Sequence, residues 1–358
     1  MMLGWLIMLV VGAVFVVLGI RYKMEPLLLV PIGFSAILVN LPGSELALEG
    51  GVGNVIHWIF STLIATELVP CLIFFCLGAM TDFGPLISNP KTFIIGAAAQ
   101  LGVAAAFILA MSIGFTPQQA ASIGIIGGAD GPTTIYLTAF LAPELLGANA
   151  VAAYSYMSLV PIIQPPVAMA LTTKKERQIR MGSLRDVSRT EKIVFPMMIA
   201  VVSGIIVPAA IPLIGLFMFG NLIRESGVTE RLSKTAENEF MNILTILLGL
   251  GIGGTMGAET FLTLQTLEII SLGALAFVFS TAGGILIVKL MNLFVKNKVN
   301  PLIGCAGVSA VPMSARVSQT LASKEDKQNY VLMHAMGPNV AGVIGTAMAA
   351  GLFLQFLV

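Results

Sequence analysis

A chain of 358 residues that is 57% hydrophobic and 10% charged, with a mean hydropathy of +0.95, is far more apolar than a soluble domain and reads as an integral membrane protein. With 19 basic against 18 acidic side chains the net charge is +1, which excludes nucleic acid as a charge-driven partner. The cysteines, Cys71, Cys76 and Cys305, lie in apolar or interrupted context without zinc or disulfide spacing, so they are expected as buried thiols.

In chain order, residues 3–20 supply a first spanning helix, and with no basic stretch before them they read as a span instead of a cleaved signal. Arg21-Tyr22-Lys23 marks a water boundary, and residues 26–41 form a short, proline-containing second segment. A Gly-rich loop at 42–54 leads to a third span at 62–80, with Asp82 at a helix boundary, and a fourth span covers 91–114. The segment from Thr116-Pro117 onward is then interrupted by Gly127-Gly128-Ala129-Asp130-Gly131-Pro132-Thr133-Thr134, between apolar residues 122–126 and 135–142. A carboxylate within a membrane costs at least a few kcal/mol, so Asp130 is expected to face a cavity or a partner. Glycine and proline are also ordinary packing and kink residues in membrane helices. Here they unwind backbone beside the single acid, which frees carbonyl oxygens next to Asp130.

A sixth span follows at 148–171. The loop 174–192 holds Lys174, Lys175, Arg177, Arg180, Arg185, Arg189 and Lys192 against Glu176, Asp186 and Glu191, and the positive-inside rule places it in the cytoplasm. Residues 193–217 read as the seventh span, 224–239 as a mixed-charge loop, 240–256 as the eighth span and 267–294 as the ninth. Residues 300–312, beginning Asn300-Pro301, are too interrupted for a span and too apolar for a loop, which makes a second broken element; 330–357 is the last span. The expected fold is an all-α polytopic membrane protein of about 11 segments, with six crossings before the basic loop, the N-terminus inside and the C-terminus outside.

Sliding the chain on itself by 176 residues brings the two broken elements into register: Met80 falls on Met256, Gly128 on Gly304, Gly131 on Gly307, Tyr154 on Tyr330 and Met157 on Met333. The expected organisation is an N-terminal span at 1–25, a first repeat at 26–172, the basic loop at 173–192 and a second repeat at 193–358. An odd number of crossings per copy inverts the second against the first. Inverted repeats with one discontinuous helix each are a transporter-like architecture, in which an ion site forms where the breaks meet. Asp130 and Asn300 are expected to meet there, with the hydroxyls of Thr133, Thr134 or Ser309 completing a hard-oxygen cluster suited to an alkali cation. Asn300 also reads as a plain helix cap before Pro301. His57 and His334 each lack a second ligand at zinc spacing and read as packed or boundary residues.

The motif Gly127–Thr134, the string Ala152-Ala153-Tyr154-Ser155-Tyr156-Met157, the proline-framed Pro161-Ile162-Ile163-Gln164-Pro165-Pro166, the run from Asn300 to Pro312 and His334-Ala335-Met336-Gly337-Pro338-Asn339-Val340-Ala341-Gly342 together resemble the β subunit of sodium-translocating biotin-dependent decarboxylases. Met80-Thr81-Asp82-Phe83-Gly84-Pro85 fits as well, so the resemblance spans nearly the whole chain. It implies a subunit that decarboxylates carboxybiotin delivered on a partner's carrier and uses the release of carbon dioxide to export Na+. It also implies a carboxyltransferase subunit, a biotin carrier protein and a small membrane accessory subunit as partners, a homo-oligomer, and a location in the cell membrane. By resemblance, Asp130, Tyr156, Asn300, Gly304 and Ser309 are the ion-site residues, Asp130, Tyr156 and Arg316 the catalytic ones, and Arg316 the group that receives carboxybiotin. An arginine can bind a carboxylate bidentately, and it can also be a boundary cation.

Two departures bear on this. Cys305 stands where a small hydroxyl residue is expected in several relatives, and a thiol is a poor sodium ligand. The loop at 42–54 is short where oxaloacetate-type relatives carry an insertion, which leans toward the acyl-CoA decarboxylase branch. The rival reading is a sodium-coupled secondary transporter with inverted repeats and no decarboxylase chemistry. A third is a structural membrane scaffold for a soluble carboxyltransferase.

Overall fold

The computed structural model describes residues 2–51 and 53–358, and among these there are helices and no strand. Five helices are long and apolar enough to cross a membrane: Leu3–Tyr22, Thr92–Ser112, Pro143–Leu171, Leu264–Phe294 and Leu332–Leu357. A sixth arises if Val55–Ile64 and Leu68–Met80, bent by 65°, count as one span. The segment expected as a straight third span is therefore broken, with Glu67 in the left-handed region (φ 63°) at the bend. Shorter apolar helices fill the remaining space, including the 14-residue Pro26–Val39.

The longest helix, Leu264–Phe294, starts at Thr263, whose Oγ1 accepts from the Thr266 amide at 3.1 Å. Its 31 residues reach about 46 Å at 1.5 Å per residue. It serves as a ruler for the two broken elements. The first opens with a capping box in which Thr116 Oγ1 accepts from the Gln119 amide at 3.3 Å and Gln119 Oε1 accepts from the Thr116 amide at 3.2 Å. The chain runs inward through Pro117–Gly124 and a 3-10 turn at Ile125–Gly128, then returns through Gly131–Leu141. Both bases lie at one end, since Gln119 Nε2 donates to Glu144 Oε1 at 2.9 Å. This element is a re-entrant hairpin of residues 117–141, not a crossing.

The second broken element, residues 301–325, enters from the opposite end. Its inbound limb is the 3-10 helix Pro301–Gly307 and its outbound limb the helix Met313–Glu325, tied together by Ser318 Oγ donating to the Leu302 carbonyl at 2.7 Å. Asn300 and Glu325, the two bases, both meet Arg177 of the basic loop. Along the long helix the order is Gln119 near Gln265 and Glu268, Gly127 against Ala276 and Ser280, Gly304 against Gly284, and Val299 bonded to Asn292. The two hairpins therefore approach each other tip to tip.

Three further expectations are corrected. Residues 193–217 are not one span: Arg189–Ile206 and Ile211–Glu225 flank a 3-10 turn at Pro208–Ala210, because the residue before a proline is driven out of the α region. The two helices fold back on each other, with Arg189 Nη2 donating to the Ser226 carbonyl at 2.6 Å. The mixed-charge stretch 224–239 is mostly helix, Glu230–Thr235 leading through a π turn into Met241–Gly254. The N-terminus lies at the end away from the basic loop, where Gly4 packs on Ala258 and Leu262, and the C-terminus shares that end, with Leu357 accepting from Gln118 Nε2 at 3.5 Å. The first hairpin turns back without crossing, so it adds no pass before the basic loop.

Some elements of the two halves recur at the 176-residue offset and others do not. π turns occur at Phe60–Ile64 and at Ala236–Phe240, and 3-10 segments open at Ile125 and at Pro301. Toward the end of each half the offset grows: the closing helices Leu146–Leu171 and Leu332–Leu357 both have 26 residues, but Tyr154 is buried within the first whereas Tyr330 lies exposed before the second. The Tyr154–Tyr330 and Met157–Met333 matches are therefore not equivalent positions.

In a background without the native cysteines, Gln119→Cys and Glu144→Cys are expected to cross-link under mild oxidation. A membrane-impermeant thiol reagent should label both from the side opposite to Ser183→Cys in the basic loop. Labelling of Gln119→Cys and Ser183→Cys from one side would exclude the hairpin.

Candidate functional site

The site is built where the hairpin tips touch. At the first tip, Ala129 adopts φ 55°, a left-handed conformation that costs a non-glycine residue about 1–2 kcal/mol and is held only where the surroundings impose it. The turn leaves Asp130 extended at the start of the outbound helix, where its Oδ1 accepts from the Thr133 amide at 3.2 Å and its carbonyl accepts from Thr134 Oγ1 at 2.8 Å. Asp130 is 4% exposed. Its second oxygen, Oδ2, is buried with no hydrogen-bond partner among the described residues, as are Thr133 Oγ1, Tyr154 OH and Asn339 Oδ1.

The second tip meets the first through backbone: the Ser309 amide donates to the Gly128 carbonyl at 2.8 Å. Ser309 Oγ lies 2.7 Å from Thr346 Oγ1 of the last helix, and Gln100 Nε2 donates to the same threonine oxygen at 3.2 Å. Asn339 Nδ2 donates to the Val308 carbonyl at 2.7 Å, and Gln164 Nε2 to the Cys305 carbonyl at 2.8 Å. Ser280 Oγ donates to the Gly127 carbonyl at 2.6 Å. Polar side chains from the flanking helices thus satisfy the backbone that the two breaks leave unpaired. The aromatic ring of Tyr154 lies against Gly131, close enough that any side chain there would strike it.

Of the residues singled out from sequence, Asp130 and Ser309 are brought together. Asn300 is not brought to Asp130. Its Oδ1 accepts from the Leu302 amide at 3.0 Å, and its Nδ2 donates to the Arg177 and Ile179 carbonyls at 2.8 and 2.9 Å. The seven-residue 3-10 helix Pro301–Gly307 then separates it from the tip by roughly 14 Å. Asn300 is a helix cap and a clamp on the basic loop, because its amide is consumed by both tasks. Gly304 lies midway along the same limb, packed so closely on Gly284 that neither tolerates a Cβ. Tyr156 points away from Tyr154, its hydroxyl donating to the Ile270 carbonyl and its ring lying against Gly273. Arg316 is exposed in the first turns of the helix leaving the second tip, and its guanidinium makes no hydrogen bond or ion pair among the described residues.

Sequence reasoning did not single out Tyr154, Asn339, Thr346, Gln164 and Gln100 as site residues. Asn339 and Tyr154 carried a usable signal, a lone amide and a phenol within stretches otherwise small or apolar; Thr346 and Gln100 carried none. No group of three or more His, Cys, Asp or Glu is found among the described residues, so the donors at the tips are oxygens alone, the chemistry of a hard cation.

A family model described as the Na+-transporting oxaloacetate decarboxylase beta subunit matches residues 4–357. The methylmalonyl-CoA decarboxylase subunit beta of Veillonella parvula is 57% identical over 354 residues, covering 99% of this chain and 93% of the relative. The glutaconyl-CoA decarboxylase subunit beta of Acidaminococcus fermentans is 56% identical over 354 residues, with the same coverage. The oxaloacetate decarboxylase beta chain of Klebsiella pneumoniae is 48% identical over a longer alignment of 412 residues, covering 99% of this chain and 95% of the relative.

Asn329 Nδ2 donates to the same Arg177 and Ile179 carbonyls at 3.1 Å each, so two amides clamp the basic loop. The double variant Asn300→Ala, Asn329→Ala is expected to cost about 1–3 kcal/mol locally, the penalty of buried carbonyls left unpaired. Trypsin cleavage after Arg180 and Arg185 should rise severalfold in native protein. Cleavage at the wild-type rate would show that the loop is held by its ion pairs instead.

Proposed function

The chain belongs to the family of Na+-transporting oxaloacetate decarboxylase β subunits, and on that premise we propose that it removes carbon dioxide from carboxybiotin and couples this to Na+ export. The observation that carries the coupling is the junction of two opposed hairpins at Ser309 and Gly128, beside a buried Asp130 oxygen with no partner among the described residues. Such an atom is costly in a membrane interior unless a positive charge or a proton meets it. Asp130, Ser309 and the oxygens of Thr133, Tyr154 and Asn339 form the sodium site of this reading, whose ion is cargo taken from the cytoplasm. Tip carbonyls supplement them, so a thiol at Cys305 is no obstacle.

Arg316, exposed on the outbound limb of the second hairpin and unpaired among the described residues, receives the carboxylate of carboxybiotin from the side of the basic loop. Loss of carbon dioxide removes that charge, which changes the balance between two arrangements of the tips. The ureido product takes up a proton. Tyr156 is the donor expected from the resemblance, and its hydroxyl must leave Ile270 to serve. Tyr154, with a free hydroxyl over Gly131, is the phenol beside the site in the present arrangement.

The architecture of this reading is two inverted units, each of five passes and one re-entrant hairpin, at residues 2–171 and 189–357. The recurring π turns and the opposed hairpins support it. The helices Met2–Tyr22 and Arg189–Ile206 then open the two units, so the first is not a separate N-terminal addition. The basic loop is cytoplasmic and the protein resides in the cell membrane. Its partners are a carboxyltransferase, a biotin carrier protein and a small membrane accessory subunit, around a homo-oligomer of this chain. Higher identity to the methylmalonyl-CoA and glutaconyl-CoA relatives, over an alignment without the extra length, supports an acyl-CoA substrate for the complex.

Asp130→Asn is expected to lower sodium-dependent release of carbon dioxide from a carboxylated carrier by about a hundredfold or more, the scale of removing one partner from a buried charge site, with assembly of the complex unchanged. Turnover that survives the change would remove Asp130 from the mechanism and leave a scaffold role. Sodium flux driven by a solute, with no carbon dioxide released from carboxybiotin, would establish the plain transporter.

A further inference from the structure

A cavity of about 400 Å³ opens at the basic-loop end, away from the hairpin tips. It lies between the start of Thr92–Ser112, the end of Leu264–Phe294, the base of the second hairpin and the first turn of Leu332–Leu357. Its lining carries Lys91, Lys296 and His334 and no acidic residue. Some neighbouring cations at this end are paired: Lys289 with Glu176, Arg177 with Glu325 and Arg180 with Asp326, the last pair holding the Asp326 carboxyl below its usual range. By contrast, the ammonium groups of Lys91 and Lys296 have no hydrogen bond or ion pair among the described residues. His334 Nε2 lies 2.7 Å from the Gly182 carbonyl, which can only accept, so Nε2 carries the proton. The other ring nitrogen, Nδ1, is buried without a partner among the described residues.

The opposite wall is apolar, with Ile95, Met291 and Ile303 among its residues. Its size falls in the range of small-molecule sites. Two ammonium groups, an imidazole nitrogen that can only accept and an apolar wall suit a ligand with a carboxylate at one end and an uncharged ring bearing an N–H at the other, better than a fully hydrated phosphate. Ile303 belongs to the second hairpin, one residue from the Gly304–Gly284 contact, so an occupant touches the element that carries Ser309.

We propose that this cavity is a carboxylate-binding vestibule, which holds the carboxylate of carboxybiotin through Lys91 and Lys296, with His334 Nδ1 as an acceptor for the N–H of its ring, before the ligand reaches Arg316. The same carboxylate chemistry could be supplied by bicarbonate formed from the product, and the test separates the two. The inference rests on the decarboxylase reading of the chain.

The test measures release of carbon dioxide by the assembled complex with carrier-free carboxybiotin as the varied substrate. The Lys91→Gln, Lys296→Gln double variant is expected to raise KM about tenfold, as for lost hydrogen bonds to a charged group, with kcat within about twofold. The Lys91→Arg, Lys296→Arg variant should restore most of the loss. In a parallel arm, bicarbonate is added as an inhibitor of the wild-type complex. Competitive inhibition that the Gln variant abolishes shows that the site accepts both sources; a raised KM without bicarbonate inhibition assigns it to carboxybiotin alone. An unchanged KM in the Gln variant, with normal wild-type turnover, overturns the vestibule and leaves the decarboxylase reading intact. No turnover by the wild-type complex overturns both.

Discussion

Backbone polar groups cannot be left unpaired where water is scarce, and the fold follows from how two broken helices meet that demand. Neither break can be satisfied from within its own segment. The Gly128 carbonyl is paired by the Ser309 amide, so each tip is completed by the other. What remains is paired by side chains from the long helices: Ser280 on Gly127, Asn339 on Val308 and Gln164 on Cys305. The long helices are therefore more than membrane spans. Their few polar residues sit at the depth of the breaks because unpaired carbonyls there would cost several kcal/mol each.

Close approach is the second requirement, and glycine meets it. Gly304 sits against Gly284, Gly307 against Gly342 and Gly127 against Gly102 and Ala276, contacts in which a side chain would overlap backbone or a neighbouring methyl. Small residues at such crossings let helices pack by van der Waals contact and backbone dipoles where no hydrophobic driving force distinguishes protein from lipid. The same crowding imposes the left-handed Ala129, whose strain the tip contacts offset. Packing, strain and the orientation of Asp130 are thus one local arrangement.

This explains what the sequence disclosed. Gly127–Thr134 and Asn300–Pro312 were legible as breaks because glycine and proline act locally, and Asp130 was legible because a lone acid among apolar residues is costly. Ser309 could be placed in the second break for the same local reason. Partner choice was not local. Asn300 before Pro301 fits a cap and a ligand equally well, and only the path of residues 177–179 decides that its amide is taken by the loop. Tyr154 and Tyr156 are two residues apart and nearly opposite on one helix; which of them faces the tips depends on the rotation of that helix, which composition does not encode. Direction was hidden too. A chain that returns through Gly131–Leu141 has the same hydropathy as one that continues, so the hairpin's reversal, and with it the side of the N-terminus, waited on the contact of Gln119 with Glu144.

The orphaned oxygens at the tips also limit what can satisfy them. Thr133 and Tyr154 carry hydroxyls that can donate or accept, whereas an amide oxygen such as Asn339 Oδ1 can only accept. A proton on Asp130 relieves the carboxylate, and Asn339, whose Nδ2 is fixed on Val308, then needs a hydroxyl to donate to its Oδ1. A small cation serves carboxylate, amide, hydroxyl and carbonyl oxygens at once, without requiring any of them to donate. The two hairpins come from opposite ends of the protein, so an ion at their junction is separated from each end by a different hairpin. Asn300 ties the base of one of these hairpins to the basic loop, so the segment closest to the soluble surface at that end is joined through seven residues of 3-10 helix to the tip that carries Ser309.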